Sequence, residues 1–235
     1  MRAESGVPIP NTMLAALPRK QYGRLRASLE PVALTFGEVL YEPGTRMRHV
    51  YFPNDSLVSL LTLVDKHLAL EVGMVGCEGM VGIPLALGKN VSPIRALVQG
   101  AGTAMRMKAA RFSEEIGKSP QLRKEVNRYL SALMAQVTQT AACNRFHVVG
   151  ARLARWLLMT RDRVHSDEFR LTHEFLGHML GVRRVGVTNA ARALQKRKLI
   201  AYSRGKIRIL DRRGLEGAAC SCYELIRDMN GSVRR

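Results

Sequence analysis

Arg183, Arg184, Asn189 and Arg192 are side chains whose types and spacing suit recognition of a nucleic acid. A guanidinium can donate two parallel hydrogen bonds to guanine O6 and N7, and a carboxamide can pair with adenine in the same bidentate manner. Val185, among them, offers methyl groups to a thymine. To act together these groups need one exposed helix face and a second helix to hold it, and residues 171–190 have the composition for both. Thr172 is placed to cap a first helix, whose Phe175, Leu176, Met179 and Leu180 recur at helical spacing. Gly177 allows close approach of a second helix, and Gly181 can take the positive φ that a tight turn demands. Val182, Val187 and Ala190 then point back to the first helix, leaving the arginines outside. In isolation, the same pattern would also fit an ordinary helix pair with solvated arginines.

The neighbouring residues favour DNA. Lys198 to Leu210 alternates in hydrophobicity around Ser203-Arg204-Gly205-Lys206, so a hairpin with Arg204 and Lys206 at its tip follows the second helix, as in a winged helix. Residues 145–213 hold 17 Lys and Arg against 5 Asp and Glu, net +12, which is most of the chain's excess of +18. Such a domain has the electrostatic footprint of phosphate-backbone binding. A membrane surface would also attract the charge, but no amphipathic, Trp-flanked or lipidated segment accompanies it, so double-stranded DNA is the expected partner and a membrane is not.

The elements upstream must position this domain. With 235 residues, 46% of them hydrophobic, the chain can bury two cores. From Val32 to Val64 and from His67 to Met107, short apolar alternations are broken at Pro43-Gly44, Pro53-Asn54-Asp55, Asp65-Lys66 and Gly100-Ala101-Gly102, which predicts a small antiparallel barrel or sandwich. Gly73, Gly76, Gly79 and Gly82 recur every third residue; the spacing matches no phosphate-binding loop, and tight barrel corners are the expectation. Pro120 opens a stretch free of Gly and Pro that runs to about Asn144, a long helix of ~24 residues spanning ~36 Å. Leu122, Val126, Leu130, Leu133, Val137 and Ala141 make an apolar stripe along it, which predicts self-association, although packing on the barrel would use the same stripe. The division is thus a barrel at 12–118, an interfacial helix at 119–145, a winged helix-turn-helix at 146–213 and a tail at 214–235, an α+β protein.

This order of parts resembles the Crp/Fnr family of bacterial transcription regulators over about residues 12–213. Leu171-Thr172, Leu176-Gly177, Gly181, Arg184 and Val187, followed by Leu194 and Lys198-Leu199-Ile200, match the family's DNA-binding signature without gaps. Phe36-Gly37-Glu38, Tyr41-Glu42-Pro43-Gly44 and Val50-Tyr51-Phe52 resemble the opening strands of its effector domain, a jelly roll like those that bind cyclic nucleotides. The resemblance implies a homodimer that regulates transcription in the cytoplasm, with RNA polymerase as a further partner where a member activates. It makes Arg184 a base reader, Thr172 a phosphate contact at a helix N-terminus, and Arg183 and His173 contacts to phosphate or base. Val185 and Asn189 depart from the family's commonest reading face, so a different operator is implied. In the effector domain, Gly82-Ile83-Pro84 replaces the ribose-binding Gly-Glu-Leu, and Arg95 falls beyond the usual arginine. A ribose hydroxyl without its carboxylate loses about 1–3 kcal/mol, so cyclic AMP is not the expected ligand. Thr138 stands near where members reach the purine, although a helix threonine also commonly bonds its own backbone.

Other chemistries lack their residues. Four cysteines, Cys77, Cys143, Cys220 and Cys222, form no Cys-x-x-Cys pair and no disulfide pattern. The family's iron–sulfur mode needs four thiolates, and none precedes Cys77, so no such cluster is expected. Cys220-Ser-Cys222 could bind a soft metal or form a redox-sensitive site, but two thiols one residue apart more often do neither; His173 and His178 have no ligand spacing, and His49, His67 and Glu71 lack a cupin-like grouping, so no metal is expected. With no catalytic constellation the chain is not read as an enzyme; a small barrel enzyme is the distant alternative, and a regulator whose barrel senses nothing and only dimerises is the nearer one. The first residues carry no signal-peptide pattern, and no run of 18 uncharged apolar residues occurs.

Overall fold

The computed structural model describes residues 9–65 and 68–232. The N-terminal signal-peptide reading, the Lys66 and His67 positions and the last three residues of the proposed tail lie outside them. Two short helices, α1 (Thr12–Ala15) and α2 (Arg19–Arg26), lead into β1 (Glu30–Leu34), β2 (Val39–Tyr41), β3 (His49–Pro53), β4 (Leu57–Asp65) and β5 (Leu68–Val75). A helical turn α3 (Ile83–Ala86) precedes β6 (Arg95–Gly100) and β7 (Gly102–Lys108), and α4 (Ala109–Lys118) abuts the long α5 (Pro120–Phe146). Then come α6 (Val149–Val164), β8 (Glu168–Arg170), α7 (His173–Leu180), α8 (Arg184–Lys196), β9 (Ile200–Ser203), β10 (Lys206–Ile209), α9 (Arg212–Ala218) and α10 (Cys222–Ser232).

The N-terminal strands form two antiparallel sheets, β1-β7-β3 and β2-β6-β4-β5. No ladder among the described residues closes them, so of the barrel or sandwich expected the strands take the open two-sheet form, a jelly roll. The crossing point is Gly100-Ala101-Gly102, where the chain leaves β6 in one sheet for β7 in the other. A Cβ at Gly100 would meet Val164 at 2.7 Å and one at Gly102 would meet Asp55 at 2.9 Å, so both corners need glycine. Leu34, Val50, Phe52, Val58, Val75, Ala96, Val98 and Met107 fill the space between the sheets. Three of the triplet glycines do stand at corners, Gly76 and Gly79 in the turn after β5, where Gly79 N donates to Gly76 O at 3.2 Å, and Gly82 at the start of α3 with φ 111°; close contacts add a second reason for glycine at two of them. A Cβ at Gly79 would sit 2.0 Å from the Tyr129 ring of α5, and one at Gly76 would sit 2.8 Å from Arg163 of α6. These positions let two helices lie directly on backbone.

Ser119 caps α5, its Oγ accepting from Leu122 N at 3.1 Å, with Pro120 at N1. The apolar stripe assigned to self-association divides. Leu122, Val126 and Leu133 are buried in the chain's own jelly-roll core, with Leu130 and Val137 packed at its edge, and only Ala141 stays open. The jelly roll itself has claimed the hydrophobic seam. On the adjoining face, about 100° round the helix, Asn127, Ser131, Met134, Thr138 and Arg145 are exposed, and with Ala141 at the edge of the stripe they follow alternating spacings of four and three.

The C-terminal core gathers Leu153, Trp156 and Leu157 of α6, Leu176 and Leu180 of α7, Val187 and Leu194 of α8, and Ile200 and Ile207 of the sheet β8-β10-β9. The segment expected as a tail is instead two helices folded back on this core, with Leu215, Tyr223 and Ile226 buried. Asp211 caps α9 by accepting from Gly214 N at 2.9 Å, and Tyr223 donates its hydroxyl to Asp162 of α6 at 2.7 Å.

Helix α6 also lies on β4, β5 and β6, joining the two halves through buried polar groups. Arg163 pairs with Glu78 at 2.7 Å, both nearly inaccessible. Trp156 Nε1 donates to Glu71 at 2.9 Å, and the Ser59 hydroxyl lies 2.6 Å from the other Glu71 oxygen while also contacting Gln99 Oε1. Ser59 has one proton to give. If Glu71 is protonated it donates to Ser59, Ser59 donates to Gln99, and Gln99 Nε2 donates to Thr160 at 3.3 Å, leaving every donor directed. Burial, opposed by the Ser59 hydrogen bond and by Arg155, pushes the Glu71 carboxyl up to about 7 from 4.5. The folded chain thus keeps a proton that the unfolded chain has released, so stability should fall as pH rises from about 4.5 to about 7 and then level off. Urea denaturation at closely spaced pH values should show this slope in the native chain and a flatter one in Glu71→Gln.

Candidate nucleic-acid interface

The reading head is built from α7, a three-residue turn and α8. Thr172 is the N-cap of α7, and its hydroxyl accepts from Phe175 N at 3.1 Å. Gly181 ends α7 at φ 60°, ψ 41°, and Val182 N donates back to Gly177 O at 2.9 Å. A Cβ at Gly177 would meet that Val182 carbonyl at 2.9 Å. Both glycines are therefore required by the turn. Arg152 of α6 donates to the Leu180 carbonyl at the end of α7 and to Asn144 of α5.

Helix α8 buries Val187, Ala190, Ala191 and Leu194 against α6 and α7. Val185, Asn189 and Arg192, at i, i+4 and i+7, are exposed along the far side, with Arg183 and Arg184 exposed at the N-terminal end. Val185 is 63% accessible, high for an apolar side chain on a packed helix. The β9–β10 hairpin turns through Arg204 at φ 48° and Gly205 at φ 76°, a primed turn that fits the strand twist. Arg204 and Lys206 are exposed there.

His173 does not join this surface. Its ring stacks on Tyr202 with centroids 4.1 Å apart, and Nδ1 lies 2.9 Å from Thr188 Oγ1. Since Thr188 donates its own proton to Arg184 O at 3.0 Å, Nδ1 must carry the hydrogen and Nε2 is left bare and buried. Burial, then the charges of Arg184 and Arg192, hold the imidazole below its ordinary pKa, so it serves as a neutral brace between helix and wing rather than a phosphate ligand.

The predicted effector residues separate as well. Gly82 and Ile83 border an apolar cavity of about 140 Å³ shared with Tyr41, Met80, Ile94 and Leu133. Arg95, between the cavity-lining Ile94 and Ala96 on β6, points the other way and pairs with Glu42 at 2.9 Å. Thr138 is exposed and donates to Met134 O at 2.9 Å, so it does not reach the cavity. The β4–β5 hairpin and the β1–β2 connection, remote in sequence, instead meet the reading head: Leu70 of β5 lies where a Cβ on Gly181 would come within 2.6 Å, and Phe36 between β1 and β2 contacts Phe175 with ring centroids 5.6 Å apart.

One grouping escaped the sequence altogether. Cys143 and His147, one turn apart at the end of α5, meet Cys220 and Cys222 from the α9–α10 junction, with donor atoms all within 4.8 Å of one another. Two close cysteines late in the chain were visible; their partners some 75 residues earlier were not.

The family model described as a Crp-like helix-turn-helix domain matches residues 151–218. No curated protein sequence matches the chain significantly. Among solved structures, the chain is similar to a putative transcriptional regulator of the Crp/Fnr family from Eubacterium rectale, with TM-score 0.69 and 17% identity over 88% of this chain and 96% of that one. FixK2 from Bradyrhizobium japonicum is similar at TM-score 0.69 and 13% identity, covering 82% and 98%. The c-di-GMP-responsive global regulator CLP from Xanthomonas campestris is similar at TM-score 0.67 and 16% identity, covering 82% and 99%.

The turn between α7 and α8 yields a test of this geometry. Gly181→Ala should lower stability by about 1–2 kcal/mol from the left-handed backbone alone, with a further loss from the collision with Leu70. Chemical denaturation should show it, and Leu70→Ala in the same chain should recover the second part.

Proposed function

From the Crp-like helix-turn-helix domain matched at residues 151–218, we propose that the chain is a homodimeric, sequence-specific DNA-binding regulator of transcription of the Crp/Fnr type. It works in the cytoplasm and catalyses no reaction. The observation that carries this reading is the exposed Val185, Asn189 and Arg192 on the side of α8 away from the core, with Arg183 and Arg184 exposed at its N-terminal end. In the major groove Arg184 reads a guanine, Asn189 an adenine and Val185 a thymine methyl, while Arg183, Arg192 and the α7 N-terminus at Thr172 hold phosphates. The wing places Arg204 and Lys206 on the adjoining backbone.

Dimerisation uses the outer face of α5, Asn127, Ser131, Met134, Thr138 and Ala141, rather than the buried stripe. Met134, 62% accessible, is its largest apolar group. Two copies joined there present two reading heads to successive half-sites. No helix among the described residues is long and apolar enough to cross a membrane.

The jelly roll is read as holding no cyclic AMP. Its cavity of about 140 Å³ is almost wholly apolar and small beside the ~300 Å³ at which ligand sites begin, and Arg95 is committed to Glu42. The same observation favours a second reading in which the domain serves only to dimerise, with regulation set by abundance. Where the protein activates, RNA polymerase is a further partner.

Selection of bound sites from random duplexes tests the interface. Arg184→Ala should weaken binding to the selected operator by about 1–3 kcal/mol and relax one base position, whereas Arg204→Ala should weaken all duplexes alike and lower the salt slope by about 1. Asn189→Arg should change the base preferred at one position, and an unchanged site logo in both Arg184→Ala and Asn189→Arg would remove the base-contact assignment. For the dimer, sedimentation should show Met134→Glu shifting toward monomer.

A further inference from the structure

The cluster at the end of α5 has the make-up of a metal site. Cys143 Sγ lies 3.5 Å from Cys220 Sγ, and Cys222 Sγ lies 3.4 Å from His147 Nδ1. Tetrahedral zinc, with bonds of about 2.3 Å to sulfur and about 2.0 Å to nitrogen, sets its donors about 3.8 Å apart for two sulfurs and about 3.6 Å for sulfur and nitrogen. The observed separations are within a few tenths of an ångström of these. A disulfide needs about 2.0 Å between sulfurs, and an iron–sulfur cluster spreads its thiolates over several irons, wider than four donors all within 4.8 Å of one another. All three cysteines are buried, with the imidazole at the rim.

The surroundings fit a bound ion as well. Gln139 Nε2 donates to Cys222 Sγ at 3.0 Å, the kind of outer hydrogen bond that steadies a ligating thiolate. Three thiolates and a neutral imidazole around a divalent ion leave one net negative charge. The positive charges of Arg152 and Arg155 on α6 act on Cys143 and offset it.

We propose that Cys143, His147, Cys220 and Cys222 bind one thiophilic divalent metal ion of the zinc class in tetrahedral Cys3His coordination. Each thiol loses its proton to solvent on binding, the imidazole binds neutral through Nδ1, and no electron transfer takes place. The ion ties the end of α5 to the α9–α10 junction. Arg152, whose charge interacts with Cys143 and Cys220, also donates to the Leu180 carbonyl and so connects the site electrostatically to the turn of the reading head.

The test uses the full chain, purified reducing from a zinc-replete culture. Elemental analysis should find about one zinc per chain, displaced by a strong chelator. Refilling the chelated protein with Co2+ should give the intense visible bands of a tetrahedral thiolate site together with sulfur-to-cobalt charge transfer. Cys220→Ser/Cys222→Ser should lose both signals, while Cys77→Ala, a cysteine outside the cluster, should keep them. Should the double variant fail to fold by circular dichroism, His147→Ala at the rim supplies the comparison, with metal affinity reduced at least tenfold. The proposal is overturned if the reduced native chain takes up neither ion, if its cobalt spectrum is octahedral, if the folded double variant retains metal, or if Cys143 and Cys220 form a disulfide and metal fails to bind after its reduction.

Discussion

Helix α6 is shared by both halves of the molecule, and the remaining architecture depends on that sharing. One side carries Leu153 and Leu157 into the helix-turn-helix core, while Trp156, Thr160 and Arg163 press into the sheet of β4, β5 and β6. Such an interface carries a desolvation cost that only its internal pairing offsets. Glu78 has Arg163, Glu71 has Trp156 and Ser59, and Gln99 has Thr160. Breaking any one pair leaves a polar group stranded in a dry place, which makes the seam selective about how the two halves dock.

How much of this was written plainly in the chain depends on the range of the interaction. The turn of the reading head is local: Thr172, Gly177 and Gly181 lie within ten residues, so cap, close approach and left-handed turn were all legible from spacing. The outward residues of α8 followed from helical period. The stripe on α5 was equally legible as a pattern, but its partner was not, because an apolar seam does not say whether it meets its own sheet or another copy. Leu122, Val126 and Leu133 took the nearer option. The same limit hid the partners of Cys220 and Cys222, which lie on a helix brought back by folding alone.

Glycines illustrate a second limit. Gly76 and Gly79 read as corners, since glycine in a strand-rich region commonly marks one. They do form the turn after β5, but the close approach that also demands glycine there comes from Tyr129 and Arg163, side chains 50 and 87 residues away. His173 shows the converse: its place beside Thr172 at the N-terminus of α7 suggests a phosphate contact, yet its ring is occupied by Thr188 and Tyr202. Charge tells where a domain faces, whereas burial decides which of its members can answer.

The contact of Leu70 with Gly181 has an implication for how this molecule tolerates change. Side chains on a strand alternate faces, so one residue inserted or deleted before Leu70 in β5 would flip the pleat and present Ala69 or Glu71 to the turn instead. Either the small methyl would leave a gap or a carboxylate would be driven against an apolar seat, and the Trp156 partner would be lost at the same stroke. A single-residue length change is therefore tolerated only where a bulge absorbs it before Leu70, as the irregularities at Leu60/Leu61 and Leu63/Asp65 already do along this hairpin.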